Sequence, residues 1–405
     1  MISILFEGWR LLQHSYGNVL AFLLVHLWKQ YGPNKTNEII FYIQECSYHD
    51  INWKNKQKLT YSPEYNRILK NLKPYNGEKV DIIYRQTYPY NLEPPQIPKT
   101  PVCVFYTSEF AILNNSYFHH DPKQDIRSYL IKNPNFYFTA PSEWSLLGMT
   151  PYLDDKTRNH LVSHGVDTSI FYRHSNDSTR KQVRRKYNVL DDDILLINIG
   201  AMTMNKGIFL ILEALHHLVI IQKLPFKLLL KGMTDLYKSR EFVDAYINHL
   251  GYNTTNLKSH IIFIDGTLNY SEINDLFNAS DLYISPYLAE GFGLTMLEAL
   301  ASGLRVLVPR TGSASDYIDP IYKNGGEQYI YYVDSVIIQD NSGLYKNQID
   351  TTNIINTLSK NIKNIKEVLD DKTYLLLKKY IKTNYSWYKV STDLYNYFLD
   401  IIVQK

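Results

Sequence analysis

Residues 286–303 read Pro286-Tyr287-Leu288-Ala289-Glu290-Gly291-Phe292-Gly293-Leu294-Thr295-Met296-Leu297-Glu298-Ala299-Leu300-Ala301-Ser302-Gly303. Two carboxylates, Glu290 and Glu298, stand eight residues apart, with a Gly-Phe-Gly turn after the first and a helix-forming run carrying the second. Eight residues of helix rise roughly 12 Å. A helix that starts after the turn offers free backbone N–H groups and a partial positive charge to an anion held between the two acids. That layout suits a nucleotide-diphosphate sugar, with one carboxylate near the sugar and the other near the ribose.

With Gly291, Phe292, Gly293, Leu294, Glu298, Ala299 and Gly303 in register, the segment resembles the E-x7-E signature of the retaining GT-B glycosyltransferases, in particular the GT4 family. A second block, Asn198 to Gly207, reads as a strand, a loop and Lys206 at the start of a helix. A cation there opposes the helix dipole unless an anion shares the site. The resemblance implies that Lys206 binds the diphosphate and neutralises the charge that builds on the leaving group. Met202 and Asn205 belong to the same donor-binding loop. One departure is Ala201, which stands where the family commonly has Arg; Arg85 and Arg310 are candidate replacements.

The first half matches more loosely. Leu161 to Phe171, containing His164-Gly165-Val166-Asp167, resembles the segment that ends the family's first domain, with His164 read as structural. Ser15-Tyr16-Gly17-Asn18 takes the place of the family's glycine-rich loop, where Gly17 is expected to let backbone approach a phosphate or sugar. Glu109 ends a strand where many members place a His, and is expected to orient the acceptor hydroxyl or the donor sugar. Asp316 stands where the family has Glu. His119-His120-Asp121 is read as solvated loop.

A chain of 405 residues is too long for one ordinary core, so two domains are expected. Strands at Ile2–Phe6, Val80–Tyr84, Val102–Tyr106 and Phe136–Thr139 are expected in the first. Those at Ile194–Ile199, Phe226–Leu230, Ile261–Ile264, Leu282–Ser285 and Arg305–Val308 fall in the second. Each set alternates with helices, the pattern of a parallel sheet covered on both faces. The expected fold is therefore α/β, two doubly wound Rossmann-like domains facing across a cleft, with ligands beyond the carboxyl ends of the strands. The boundaries are 1–175 for the acceptor domain, 185–375 for the donor domain and 376–405 for a C-terminal helix returning to the first domain, anchored by Trp387, Tyr388, Leu394, Tyr397 and Phe398. Residues 7–17 are expected as loop before a helix from Asn18. Arg173 to Arg185, polar and without apolar periodicity, is expected as linker.

A net charge of +3 gives no reason to invoke nucleic acid. Cys46 and Cys103 form no metal-ligand pattern, and free thiols in a reducing compartment are expected. The longest apolar run, Val19 to Trp28, is too short to span a bilayer. A soluble, intracellular protein is expected; Lys54, Lys56, Lys58 and Tyr61 leave a membrane surface open as a partner.

The resemblance implies a retaining glycosyltransferase with a nucleotide-diphosphate sugar as co-substrate, no bound cofactor, no essential metal, and a glycan, protein or lipid acceptor. Lys206 and the amides of Gly291 to Leu294 would hold the diphosphate, Glu298 the ribose, and Glu290 the donor sugar. The alternative is a non-catalytic nucleotide-sugar binder or scaffold, which Ala201 favours.

Overall fold

The computed structural model describes residues 1–12, 14–33, 35–47, 61–120, 124–251 and 254–403. The chain forms two compact units: residues 1–165 together with 385–405, and residues 166–384.

The first unit is built on β1 (Ile2–Gly8), β2 (Ile39–Glu45), β3 (Lys73–Pro74), β4 (Ile82–Gln86), β6 (Val102–Phe105), β8 (Phe136–Ala140) and β9 (Asn159–Leu161), with a small ribbon of β5 (Tyr90–Asn91) and β7 (Phe118–His119) beside them. The sheet runs in the order β3-β2-β1-β4-β6-β8-β9 with every pairing parallel. The sequence reading overlooked β2, although Ile39, Phe41 and Ile43 alternate inward as a half-buried strand requires.

The first helix spans Ser15–Tyr31, three residues earlier than expected, because the His14 ring accepts the Tyr16 N–H and caps it. Gly17 therefore lies in the first helical turn and not in a loop. A Cβ there would sit 2.2 Å from the Leu12 carbonyl oxygen and 2.9 Å from that of Trp9. Its missing side chain lets the chain at 9–12 cross the helix, which is a packing role.

The last helix, Trp387–Val403, is part of this unit. Trp387 stacks on Phe22 with ring centroids 5.3 Å apart, and Tyr395 on Tyr31 at 4.0 Å. Gln30 donates to Ser391 Oγ at 2.6 Å and accepts from Thr392 Oγ1 at 2.9 Å. Of the expected anchors, Trp387, Leu394, Tyr397 and Phe398 are buried, but Tyr388 is 62 % exposed. Next to the inward Trp387, it turns to solvent by the helical period. The tail is not one helix: Asp371–Tyr385 is a separate element, and the first unit takes only residues 385 onward.

The second unit holds β10 (Ile194–Ile199), β11 (Phe226–Lys231), β12 (Ile261–Ile264), β13 (Leu282–Ile284), β14 (Arg305–Pro309) and β15 (Ile330–Val333), in the order β12-β11-β10-β13-β14-β15, all parallel. β10 is buried at every position, as expected of a central parallel strand. Leu196, Leu228, Leu230, Ile284 and Leu307 pack on one face against Ile208, Ile211 and Leu215 of the helix Ile208–His216. Asn269 and Glu272 form the expected capping box on Tyr270–Ala279. An antiparallel hairpin of β16 (Ser335–Gln339) and β17 (Tyr345–Ile349) was not foreseen.

Residues expected as linker form a helix, Ser178–Lys186. Its buried contact is ionic, which is why apolar periodicity gave no sign of it. Arg184 is 3 % exposed and sits 3.2 Å from Asp281 Oδ2; Arg180 reaches Asp281 Oδ1 at 2.6 Å. Asp281 also accepts the Leu195 N–H at 2.7 Å, so one carboxylate fastens the helix to β10.

Candidate functional site

β10 and β13 are neighbours in the sheet, so the loops at their carboxyl ends, Gly200–Lys206 and Ser285–Gly293, lie side by side. Asn205 joins them. Its carbonyl accepts the N–H groups of Leu288 and Ala289 at 2.7 and 3.1 Å, and Thr203 Oγ1 holds its side-chain oxygen at 2.6 Å. Gly207 makes the approach feasible. It has φ +68°, and a Cβ would fall 2.0 Å from the Pro286 carbonyl oxygen.

The consequence is an ion pair. Lys206 Nζ lies 2.8 Å from Glu290 Oε2, with side chains 21 % and 20 % exposed. Glu290 Oε1 accepts the Gly291 N–H at 3.1 Å. Lys206 closes a short turn, Met204–Lys206, ahead of the helix Ile208–His216. The anion that shares its site in this structure is thus Glu290 itself.

The Gly-Phe-Gly turn is clamped from outside. Gly293 has φ +90°, and a Cβ would meet Met296 Cε at 1.9 Å. The Phe292 ring lies 4.7 Å from that of Tyr317, whose hydroxyl donates to the Gly293 carbonyl at 2.9 Å. The helix Leu294–Ala301 begins only there. Half of the spacing between the two glutamates is turn, and the helical rise from Leu294 to Glu298 is roughly 6 Å, not 12 Å. Tyr283 fixes the first helical turn: its hydroxyl is 2.7 Å from Thr295 Oγ1 and 3.2 Å from the Ile199 carbonyl.

Glu298 reaches solvent only in part, and among the described residues its carboxyl has no hydrogen-bond or ion-pair partner. Burial alone pushes its pKa up to about 8. At neutral pH the group is mostly protonated, so it can both donate to and accept from a ligand hydroxyl.

Other expectations resolve differently. The Met202 side chain is fully buried in the core of the second unit, so only its backbone is available to a ligand. Arg310 lies over the Tyr332 ring at 4.4 Å. Arg85, in the first unit, is not a free cation: it is buried, ion-paired with Glu7, and donates to the carbonyls of Asn91 and Glu93. It holds the chain after β5. Glu109, also in the first unit, accepts the Trp144 indole N–H on its carbonyl at 2.8 Å. Burial raises the pKa of Tyr16, with smaller contributions from Tyr90 and the Glu109 carboxylate; the Tyr16 hydroxyl is hydrogen-bonded to Tyr90 at 3.1 Å and Thr107 at 3.2 Å. His164 is buried beside Phe105 and Trp387, with a pKa pushed down to about 3 by burial. Tyr61 is buried and donates to Asn18, so it does not face outward. Lys54, Lys56, Lys58 and Asp121 lie outside the described residues.

Sequence reasoning missed Lys231, at the carboxyl end of β11. It is 8 % exposed, its pKa is lowered by burial, and Asp265 opposes that shift. A lysine directly after Leu228, Leu229 and Leu230 at the end of the strand was the available signal. Tyr283, Thr295 and Tyr317 were also missed, because their roles depend on contacts between distant segments. Among the described residues no group of three or more His, Cys, Asp or Glu is placed to hold a metal ion, and no helix is long and apolar enough to cross a membrane.

Residues 179–326 match the family model described as Glycosyl transferases group 1. An uncharacterized glycosyltransferase of Methanocaldococcus jannaschii is 25% identical over 165 residues, 41% of this chain and 39% of that protein. The lipopolysaccharide glucosyltransferase WaaG of Escherichia coli is 26% identical over 167 residues, 41% of each chain. The matched stretch thus spans about two fifths of these relatives' length. Solved structures align over nearly the full chain. A glycosyltransferase from Rickettsia africae gives a TM-score of 0.66 at 14% identity, covering 100% of this chain and 99% of that one. HepE of Anabaena, solved with UDP and glucose, gives 0.60 at 13%, covering 99% and 100%. At such identities the likeness is one of fold: two Rossmann-like units, the GT-B architecture.

Proposed function

From the premise that this chain carries a group 1 glycosyltransferase domain on the GT-B fold, we propose that it moves a sugar from a nucleotide-diphosphate sugar to an acceptor hydroxyl with retention of configuration. The observation that carries the reading is the Lys206–Glu290 pair at 2.8 Å, built where the loops after β10 and β13 meet. Ligands of doubly wound sheets bind at that edge.

The donor diphosphate takes over the ammonium of Lys206 and the Gly291 N–H, which Glu290 now engages, together with the amides that follow to Leu294. Glu290 turns to the donor sugar and stabilises positive charge at its anomeric carbon. Glu298, protonated at rest, exchanges hydrogen bonds with the ribose hydroxyls. The acceptor oxygen bonds to the anomeric carbon as the carbon–phosphate oxygen bond breaks. The electron pair goes to the diphosphate, and its oxygen takes the acceptor proton. Lys206 offsets the charge that forms. No side-chain base is required, and Glu109 is assigned no step. The two sequence relatives named above support the class of reaction, and HepE, solved with UDP and glucose, the class of donor, without naming this chain's sugar or acceptor.

Ala201 favours the second reading, a nucleotide-sugar binder without turnover. Calorimetry with UDP, GDP, ADP and their sugar conjugates, with and without EDTA, tests both. Transfer is supported by metal-independent binding of one nucleotide family that is lost in Lys206→Ala and Glu298→Ala, together with donor hydrolysis or transfer that is lost in Glu290→Ala. Binding without any turnover leaves the scaffold reading. No binding at all refutes both.

A further inference from the structure

The second unit has a cavity at the edge of its sheet opposite the Lys206–Glu290 pair. It lies where β13 and β14 begin, between the segment 173–180 and residues 365–369, and encloses about 310 Å³. Arg173, Arg180, Arg305 and Lys366 line it, against the carboxylates Asp177, Asp281 and Glu367. Two of those acids, Asp177 and Glu367, are exposed, so water screens them.

Among the described residues none of the four cations has a buried carboxylate to itself: Lys366 Nζ donates to the Asp192 carbonyl at 3.0 Å and stands 3.7 Å from that residue's exposed carboxylate. Arg305 is 7 % exposed, yet no carboxylate among the described residues lies within ion-pair distance of it. Its Nε and Nη1 donate only to carbonyls: Gln328 at 3.2 Å, Ile365 at 3.3 Å and Glu367 at 2.8 Å. Those bonds hold the end of the helix Ile362–Lys366, and the charge meets Glu367 and Asp281 only beyond ion-pair distance. Asp281 is the single buried acid on the wall, and it is shared between Arg180 and Arg184. The partner of Arg173, Asp371, is 88 % exposed on its side chain, which makes that pair weak. A buried guanidinium whose counter-ions stand beyond contact is costly. A planar fork of N–H donors in a polar cavity is matched by phosphate oxygens.

We propose that this cavity binds the phosphate group of a small molecule, at a site separate from the Lys206–Glu290 pair. Arg305 and Lys366 contact the phosphate, and Arg180 and Arg173 flank it. The volume admits a phosphate ester of monosaccharide size as well as the bare ion.

Calorimetry on the full chain carrying Lys206→Ala, which weakens anion binding at the other edge, is the test. The probes are inorganic phosphate and ribose 5-phosphate. Saturable binding of at least one is expected, weakened tenfold or more by Arg305→Gln and by Lys366→Glu. Tighter binding of the ester than of inorganic phosphate identifies an organic phosphate as the ligand; equal affinities identify the ion. Should Arg305→Gln fail to fold, Lys366→Glu, at an exposed position, decides alone. Absence of saturable binding, or affinity unchanged in the folded variants, overturns the proposal.

Discussion

Replacing Glu298 by Gln should change how stability responds to pH. Burial raises this carboxyl from 4.5 to about 8. The native state therefore holds the proton more tightly than the unfolded chain, and stability falls as pH rises from about 4.5 through about 8. At 1.36 kcal/mol per unit the ceiling is ~5 kcal/mol. Between pH 6 and pH 9 linkage gives at most ~3 kcal/mol. The carboxyl is partly open to water, so a loss of about 1–2 kcal/mol is expected. Glu298→Gln has no proton to lose and should lack this loss. The measurement is urea unfolding of both proteins at the two pH values. All five tryptophans fall outside residues 166–384, so fluorescence reports the first unit, and far-UV circular dichroism is needed for the second. Wild type and variant changing in parallel, within ~0.3 kcal/mol, would refute a desolvated Glu298.

Three further outcomes follow from the geometry. Gly207→Ala forces a side chain into left-handed backbone and onto the Pro286 carbonyl, and should cost about 2–4 kcal/mol in chemical unfolding while separating Lys206 from Glu290. Asp281→Asn leaves Arg184 buried without its carboxylate and should cost about 3–5 kcal/mol, read as a lowered Tm by circular dichroism. His164 stays neutral in the fold with a pKa of about 3, whereas the unfolded chain takes up its proton below about 6.5. The first unit should therefore lose stability as pH falls through that window, by up to ~2.7 kcal/mol at pH 4.5. His164→Phe should flatten that part of the fluorescence-monitored acid transition.

Much of the fold could be read where burial is two-sided. β10 has the bounds its run suggests, since all six residues are buried and all but Asn198 are apolar; β12, an edge strand half-buried at every position, is marked instead by its unbroken apolar run. The alternation of β2 is equally present in the sequence, whereas the helix Ser178–Lys186 could not be found by apolar spacing because guanidinium groups make its contact. At the site, Lys206, Glu290 and Glu298 were nameable from motif spacing. That Lys206 and Glu290 touch was not, since 84 residues separate them and the sheet order brings them together. Arg85 shows the converse: a cation at a strand end looks available until its partners are known.

The first unit is interrupted in sequence, and this sets an order of events during synthesis. Its opening 165 residues leave the ribosome without the helix that covers Phe22, Tyr31 and Tyr84. The roughly 220 residues that follow take on the order of 10–45 s at ~5–20 residues per second. For that interval an aromatic face waits uncovered, while the later-made unit, continuous in the chain, is free to finish first. The part begun earliest is thus completed last, and a nascent chain stalled before residue 387 should be the form that chaperones retain.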